Sequence, residues 1–158
     1  MLQKRLQYYF QEAHKHIGKI QKANEVLGEV MPVDLNVLES LTEQQQDKLD
    51  ILAFRFSKLQ DLLGDKIFRN ILEYSGFNIQ QSFVRLLSEL EREGILDLNQ
   101  WISLRNARNR IAHEYPDDEK SLTSSINFIY EYSDYLVELT DRLERYFDEI
   151  AIQRNSSN

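Results

Sequence analysis

The chain of 158 residues contains no cysteine. That absence excludes disulfide scaffolds, thiolate metal sites and cysteine nucleophiles together. Glycine and proline are scarce, at 5 and 2 residues. β-Sandwiches and barrels need many tight turns, so an all-β fold is not expected. No stretch approaches the roughly 18 apolar residues of a membrane helix. The first residues, MLQKRLQYYFQEAHKHIGK, lack the apolar core of a signal peptide. A cytoplasmic protein without membrane contact is the expectation. Positive charge is also short, with 19 Lys and Arg against 26 Asp and Glu for a net charge of -7. This excludes a broad basic face that coats nucleic acid non-specifically, but not a local basic site.

The charge is unevenly spread. Residues 1–113 carry 15 basic and 15 acidic side chains, whereas residues 114–158 carry 4 and 11. The border falls just after an arginine cluster, Arg105, Arg108 and Arg110.

What the chain does contain is helical periodicity. Leu6, Phe10, Ala13, Ile17, Ile20, Asn24 and Leu27 alternate at spacings of four and three, the stripe of an amphipathic helix that Gly28 and Pro32 end. Residues 31–41 read as a connection with room for one helical turn. Thr42 starts a second helix, with Gln45 at the capping-box position. Leu49, Leu52, Phe56, Leu59 and Leu63 continue it, and Ile67, Phe68, Ile71 and Leu72 resume after an interruption or bend at Gly64. Its end is expected near Ser75 and Gly76. Asn78 is the expected cap of a third helix holding Ile79, Phe83, Leu86, Leu87 and Leu90, which Gly94 stops. Asp97 or Asn99 caps a fourth with Trp101, Leu104, Ala107 and Ile111, ending at or before Tyr115 because Pro116 follows. The fifth stripe is Leu122, Ile126, Ile129, Leu136, Leu143, Phe147 and Ile150. The reading is an all-α, antiparallel up-and-down bundle of about five helices with a four-helix core. One domain spans 1–152, and 153–158 form a frayed polar tail.

One segment carries chemistry, LRNARNRIAHEYPDD over residues 104–118. Arg105, Asn109 and His113 lie at i, i+4 and i+8 on one helical face, with Arg108 at its edge and Tyr115 just beyond. Arg108 offers a planar fork of donors matched to phosphate oxygens. His113 has an unperturbed pKa that allows both proton states near neutrality. Together they suffice for metal-independent cleavage of RNA: a base takes the 2′-OH proton, the oxygen attacks phosphorus, and the arginine stabilises the developing charge. RNA supplies that internal nucleophile and DNA does not. The same residue types also commonly finish helices, so a helix end that satisfies carbonyls and acidic neighbours accounts for them equally.

Arg108-Asn109-Arg110-Ile111-Ala112-His113-Glu114-Tyr115 resembles the signature of HEPN domains, R-N-x3-H-x-Y in its fuller form. The segment Arg55-Phe56-Ser57-Lys58-Leu59-Gln60-Asp61 and the order of helices resemble the HepT-type group, also called nucleotidyltransferase substrate-binding proteins. The resemblance covers about residues 5–150, and only the signature is specific. It implies a homodimer that brings two signatures into one cleft and cleaves RNA without metal or cofactor. Arg108 and His113 would be catalytic, with Asn109 supporting His113 and Arg105 assisting. A partner minimal nucleotidyltransferase, the antitoxin, would transfer AMP to Tyr115 and silence the toxin. Pro116, Asp117 and Asp118 follow that tyrosine at once and set acidic charge close to the RNA path. The alternatives are a non-catalytic subunit that binds the nucleotidyltransferase and a helical adaptor with a structural signature.

Other residues carry less. His14 and His16 do not share a face, and no ligands are spaced for a metal. Arg55 and Lys58 either line the cleft or pair with Asp47, Asp50 or Asp61. Tyr130, Tyr132 and Tyr135 read as packing residues, and Trp101 as core or dimer interface. With no glycine-rich phosphate loop, the chain is not itself the AMP-transferring enzyme. Any RNA contact should be small and centred on Arg105–His113.

Overall fold

The computed structural model describes residues 1–112 and 119–157. The first apolar stripe forms α1 (Leu2–Leu27), and a short turn α2 (Leu35–Glu39) sits in the connection that follows. The next stripe forms α3 (Glu43–Leu62), a π-helical turn (Leu63–Ile67) and α4 (Phe68–Tyr74). Then come α5 (Phe83–Arg92), α6 (Leu98–Ala112) and α7 (Glu119–Ser156). Among the described residues no strand occurs, and no helix is long and apolar enough to cross a membrane.

The fold is an all-α bundle, and side-chain pairs fix its topology. His16 meets Arg55 while Phe10 and Tyr74 both pack on Phe147, so α1 runs against α3–α4. Trp101 lies over Gly64 and Arg108 reaches Asp61, so α6 is antiparallel to α3. Asn24 donates to Ser133 at 2.8 Å and His14 pairs with Glu144, so α7 runs against α1. The chain thus goes up, down, up and down through α1, α3–α4, α6 and α7, with α5 as an excursion between the second and third.

The apolar stripes face inward. Leu52, Phe56, Leu59, Leu63, Ile67, Phe68, Ile71 and Leu72 are fully buried, which makes α3–α4 the axis of the core. Burying each such side chain contributes about 1.5–3 kcal/mol. Asn127 of α7 accepts from the Val33 N–H and donates to its carbonyl, both at 2.8 Å, which ties the α1–α3 connection to the bundle.

The expected caps are mostly realised. The Thr42 hydroxyl accepts from the Gln45 N–H at 3.1 Å, and the Gln45 side chain accepts from the Thr42 N–H at 2.9 Å. Asp97 caps α6 through the Gln100 N–H at 2.9 Å. Gly76 and Gly94 take φ of +95° and +75°, so the chain folds back and the Phe77 and Ile95 N–H groups bond to the Leu72 and Leu90 carbonyls.

Two expectations are corrected, and the interruption expected at Gly64 is defined. Ser82, not Asn78, caps α5 by accepting from the Arg85 N–H, because the Asn78 side chain is spent on a local turn to the Gln80 N–H. Ile79 therefore lies outside the helix. Gly64 interrupts the long helix as part of a π-helical turn. Finally, α7 stays helical through Ser156 instead of fraying after residue 152. Arg154 anchors that end by donating to the Tyr74 carbonyl and stacking 4.1 Å from the centre of its ring.

Candidate functional site

The described part of the segment 104–118 forms the C-terminal end of α6. There α6 crosses the α3–π junction and leaves an open cleft of about 490 Å³. Its walls include Asp61, Asp65 and Arg69 on one side and Arg105, Arg108 and Asn109 on the other. Three guanidinium groups thus face two carboxylates, and the local balance is positive on a chain of net charge -7. This gathers the three sequence-predicted residues Arg105, Arg108 and Asn109 at one place. Arg110 is exposed and is not among the residues lining the cleft.

Arg108 is the best-held side chain of the site. Its Nη2 donates to Asp61 Oδ2 at 2.8 Å, and its Nη1 donates to Asn109 Oδ1 at 3.2 Å. The guanidinium is fixed from two helices, yet the Arg108 side chain stays 24% exposed and Asp61 40%. A planar group held in this way is oriented before any anion arrives, and its partly exposed Nη atoms keep further N–H donors. Arg105 instead leans over the Phe83 ring, 5.8 Å from its centre, with its charge toward solvent. Arg69 is tethered to the Ile79 carbonyl at 3.0 Å.

The floor of the cleft is built by close approach. A Cβ at Gly64 would stand 3.0 Å from Trp101 Cζ2. Only a glycine lets the indole settle there, edge-on to Phe68 with ring centres 4.7 Å apart. Trp101 is 2% exposed, which resolves it as core. Trp101 Nε1, Gln60 Oε1 and Arg108 Nε are buried without a hydrogen-bond partner, and all three belong to residues that line the cleft. Buried polar groups are usually paired, so their gathering marks the site as polar by construction.

Asn109 spends its amide oxygen on Arg108, among the described residues. Its expected support of His113 lies outside them, as do His113 and Tyr115 themselves and the acidic run after that tyrosine. Arg55 and Lys58 do not line the cleft. Arg55 Nη1 donates to His16 Nδ1 at 3.2 Å, and neither cation pairs with Asp47, Asp50 or Asp61 among the described residues. An arginine only donates, so His16 accepts as a neutral imidazole. Burial, then the Arg55 charge, holds His16 below the usual imidazole range.

No group of three or more potential metal-ligating side chains occurs among the described residues. The tyrosines of α7 serve packing, as read. Tyr132 stacks on Phe128 with centres 4.3 Å apart, and the Tyr135 hydroxyl accepts from the Asp97 N–H at 3.3 Å. Burial raises the Tyr135 pKa.

Sequence reasoning missed Asp61 as the partner of Arg108, and with it Asp65, Arg69 and Gln60. A signal for Asp61 existed. Lys58, Asp61 and Asp65 follow one another at three and four residues, on a face separate from the buried stripe Phe56, Leu59, Leu63. The chain matches no family model, no curated protein and no solved structure.

Proposed function

We propose that this protein is a metal-independent endoribonuclease of the HEPN type. It acts as the cytoplasmic toxin of a toxin–antitoxin pair, with Arg108 and His113 at the chemistry. The observation that carries this reading is the Arg108 guanidinium, fixed by Asp61 and Asn109 in the lining of a polar cleft, with its side chain 24% exposed. An enzyme that stabilises charge on a phosphate needs donors oriented before the substrate arrives.

In the reaction, His113 takes the proton of the 2′-OH and the freed oxygen attacks the adjacent phosphorus. The bond to the 5′-oxygen breaks, and that oxygen leaves with a proton returned by the imidazolium. The products are a 2′,3′-cyclic phosphate and a 5′-hydroxyl. Arg108 carries the charge that develops on the phosphoryl oxygens, and Arg105 adds to the local field. A homodimer that faces two such sites concentrates positive charge that the whole chain lacks.

A minimal nucleotidyltransferase silences the toxin by joining AMP to the Tyr115 hydroxyl, with pyrophosphate leaving from ATP. The added anion competes with RNA phosphate for the arginines. Expression alone should arrest growth, and Arg108→Ala should relieve the arrest. Co-expression with the neighbouring nucleotidyltransferase should add about 329 Da per AMP to Tyr115. Growth arrest that survives Arg108→Ala overturns the reading.

A second reading is a non-catalytic subunit that docks the nucleotidyltransferase. Its support is the exposed stripe Glu131, Asp134, Glu138 and Asp141 on α7, a surface suited to a basic partner. It requires a stable complex whose formation is indifferent to Arg108→Ala.

A further inference from the structure

Of the eight phenylalanines, Phe54 is the one left exposed, at 55%. It projects from α3 with two cations near its ring. Arg55 Cζ and Lys58 Nζ each lie 5.5 Å from its ring centre. Neither cation is in an ion pair among the described residues. From α1, Lys15 and His16 join the patch, and among the described residues the acidic group acting on His16, Glu12, is already paired with Lys15 at 2.9 Å. A chain of net charge -7 therefore keeps an exposed aromatic ring beside two cations outside any described ion pair, Lys58 exposed and Arg55 half-buried against His16.

The position of the patch relates it to the cleft. Phe54, Lys58, Asp61 and Asp65 follow at four, three and four residues on one face of α3 and its continuation. Two helical turns, about 10 Å, separate Phe54 from the Asp61 that holds Arg108. Because α6 runs antiparallel to α3, its C-terminal end approaches this part of α3: Ile111 lines a small apolar pocket with Leu49, Asp50, Leu52 and Ala53. Asp47 and Asp50 bound the patch toward the start of α3, and the carboxylate toward its end, Asp61, is already engaged by Arg108 at 2.8 Å.

We propose that Phe54, Arg55 and Lys58 form a nucleotide-stacking subsite for single-stranded RNA. An unpaired base takes the face of the Phe54 ring in place of the exposed Lys58 ammonium, which swings out with Arg55 to hold the flanking phosphates. The subsite deepens the ribonuclease reading and rests on it. An aromatic face takes any base, and adjacent cations take the backbone, so the subsite binds single strands with little sequence preference. It also extends the RNA contact beyond Arg105–His113 without a broad basic surface.

The test measures binding of a single-stranded 2′-O-methyl oligoribonucleotide, which lacks the attacking hydroxyl, by fluorescence anisotropy, alongside cleavage of unmodified RNA. Phe54→Ala and Phe54→Leu should each weaken binding about tenfold or more, and Phe54→Trp should retain it. Arg55→Gln and Lys58→Gln should each reduce the slope of log affinity against log salt by about 0.7. Cleavage and binding that are unchanged in Phe54→Ala overturn the subsite and leave the ribonuclease reading intact. A wild-type protein that neither binds nor cuts RNA overturns both. Phe54→Ala that dissociates a dimer in sedimentation while RNA affinity holds overturns the subsite in favour of a protein interface.

Discussion

Arg108 of α6 and Asp61 of α3 meet at 2.8 Å across 47 residues of sequence, in the lining of the cleft that also holds Arg105 and Asn109. The pair is half-exposed, so its contribution to stability is small. Its contribution to geometry is larger, because the carboxylate fixes one end of the guanidinium and Asn109 holds the other. Asp61→Ala is expected to change unfolding free energy by less than about 1 kcal/mol. It should lower kcat for RNA cleavage about ten- to a hundredfold with KM little altered, because the guanidinium loses its orientation. Steady-state kinetics and urea unfolding of the same preparation check both parts. A kcat equal to wild type removes Asp61 from the site.

Gly64 is expected to reject even one methyl group. The new Cβ would press at 3.0 Å on an indole packed against Phe68, so Trp101 would have to shift from its contact with that ring. Overpacking of this kind costs about 1–3 kcal/mol, partly offset by the roughly 1 kcal/mol that alanine gains over glycine in a helix. Gly64→Ala should therefore lose on the order of 1 kcal/mol in thermal unfolding. The double variant Gly64→Ala, Trp101→Leu should show non-additive losses, since the clash disappears with the ring.

Thr42→Ala should cost about 1 kcal/mol by removing half of a reciprocal capping pair. Thr42→Ser keeps the hydroxyl and should lose little. Denaturant midpoints distinguish the two, and equal losses exclude the cap as the cause.

His16 gives a pH dependence whose sign follows from its neighbours. Arg55 and Lys58 from α3 and Lys15 from α1 oppose its protonation, Glu12 favours it, and burial opposes it most. Its folded pKa lies below the unfolded value near 6.5. The stability from neutral His16 is complete above that value and is lost as pH falls through the folded one. Between pH of about 7 and 5 the urea midpoint of wild type should fall further than that of His16→Gln, whose amide accepts from Arg55 at any pH. Parallel curves rule out His16 as the source.

Local features were legible in the sequence, and long-range ones were not. The capping box at Thr42 and Gln45 needs only four residues, and the stripe from Leu6 to Leu27 needs only its own spacing. Asn78 was misread because Asn78 and Ser82 are both capable caps. The choice fell to Ser82 once Asn78 closed its own turn onto Gln80. Gly64 announced an interruption, but not that Trp101, 37 residues later, would fill the space that the glycine leaves beside a π-helical turn. The Asp61–Arg108 pair was hidden for the same reason. Asp61 has Lys58 as a neighbour one turn away, and nothing local says that it turns to another helix instead. Arg105, Arg108 and Asn109 were legible as a group because helical spacing alone puts them together.

The central claim is that Arg108 and His113 cut RNA without a metal. Its most direct test incubates purified wild-type, Arg108→Ala and His113→Ala proteins with single-stranded RNA in excess EDTA and analyses the ends of the fragments. The expected result is cleavage by wild type alone, leaving 2′,3′-cyclic phosphate and 5′-hydroxyl ends. Equal cleavage by all three proteins, or none by the wild type under conditions where it binds RNA, contradicts it.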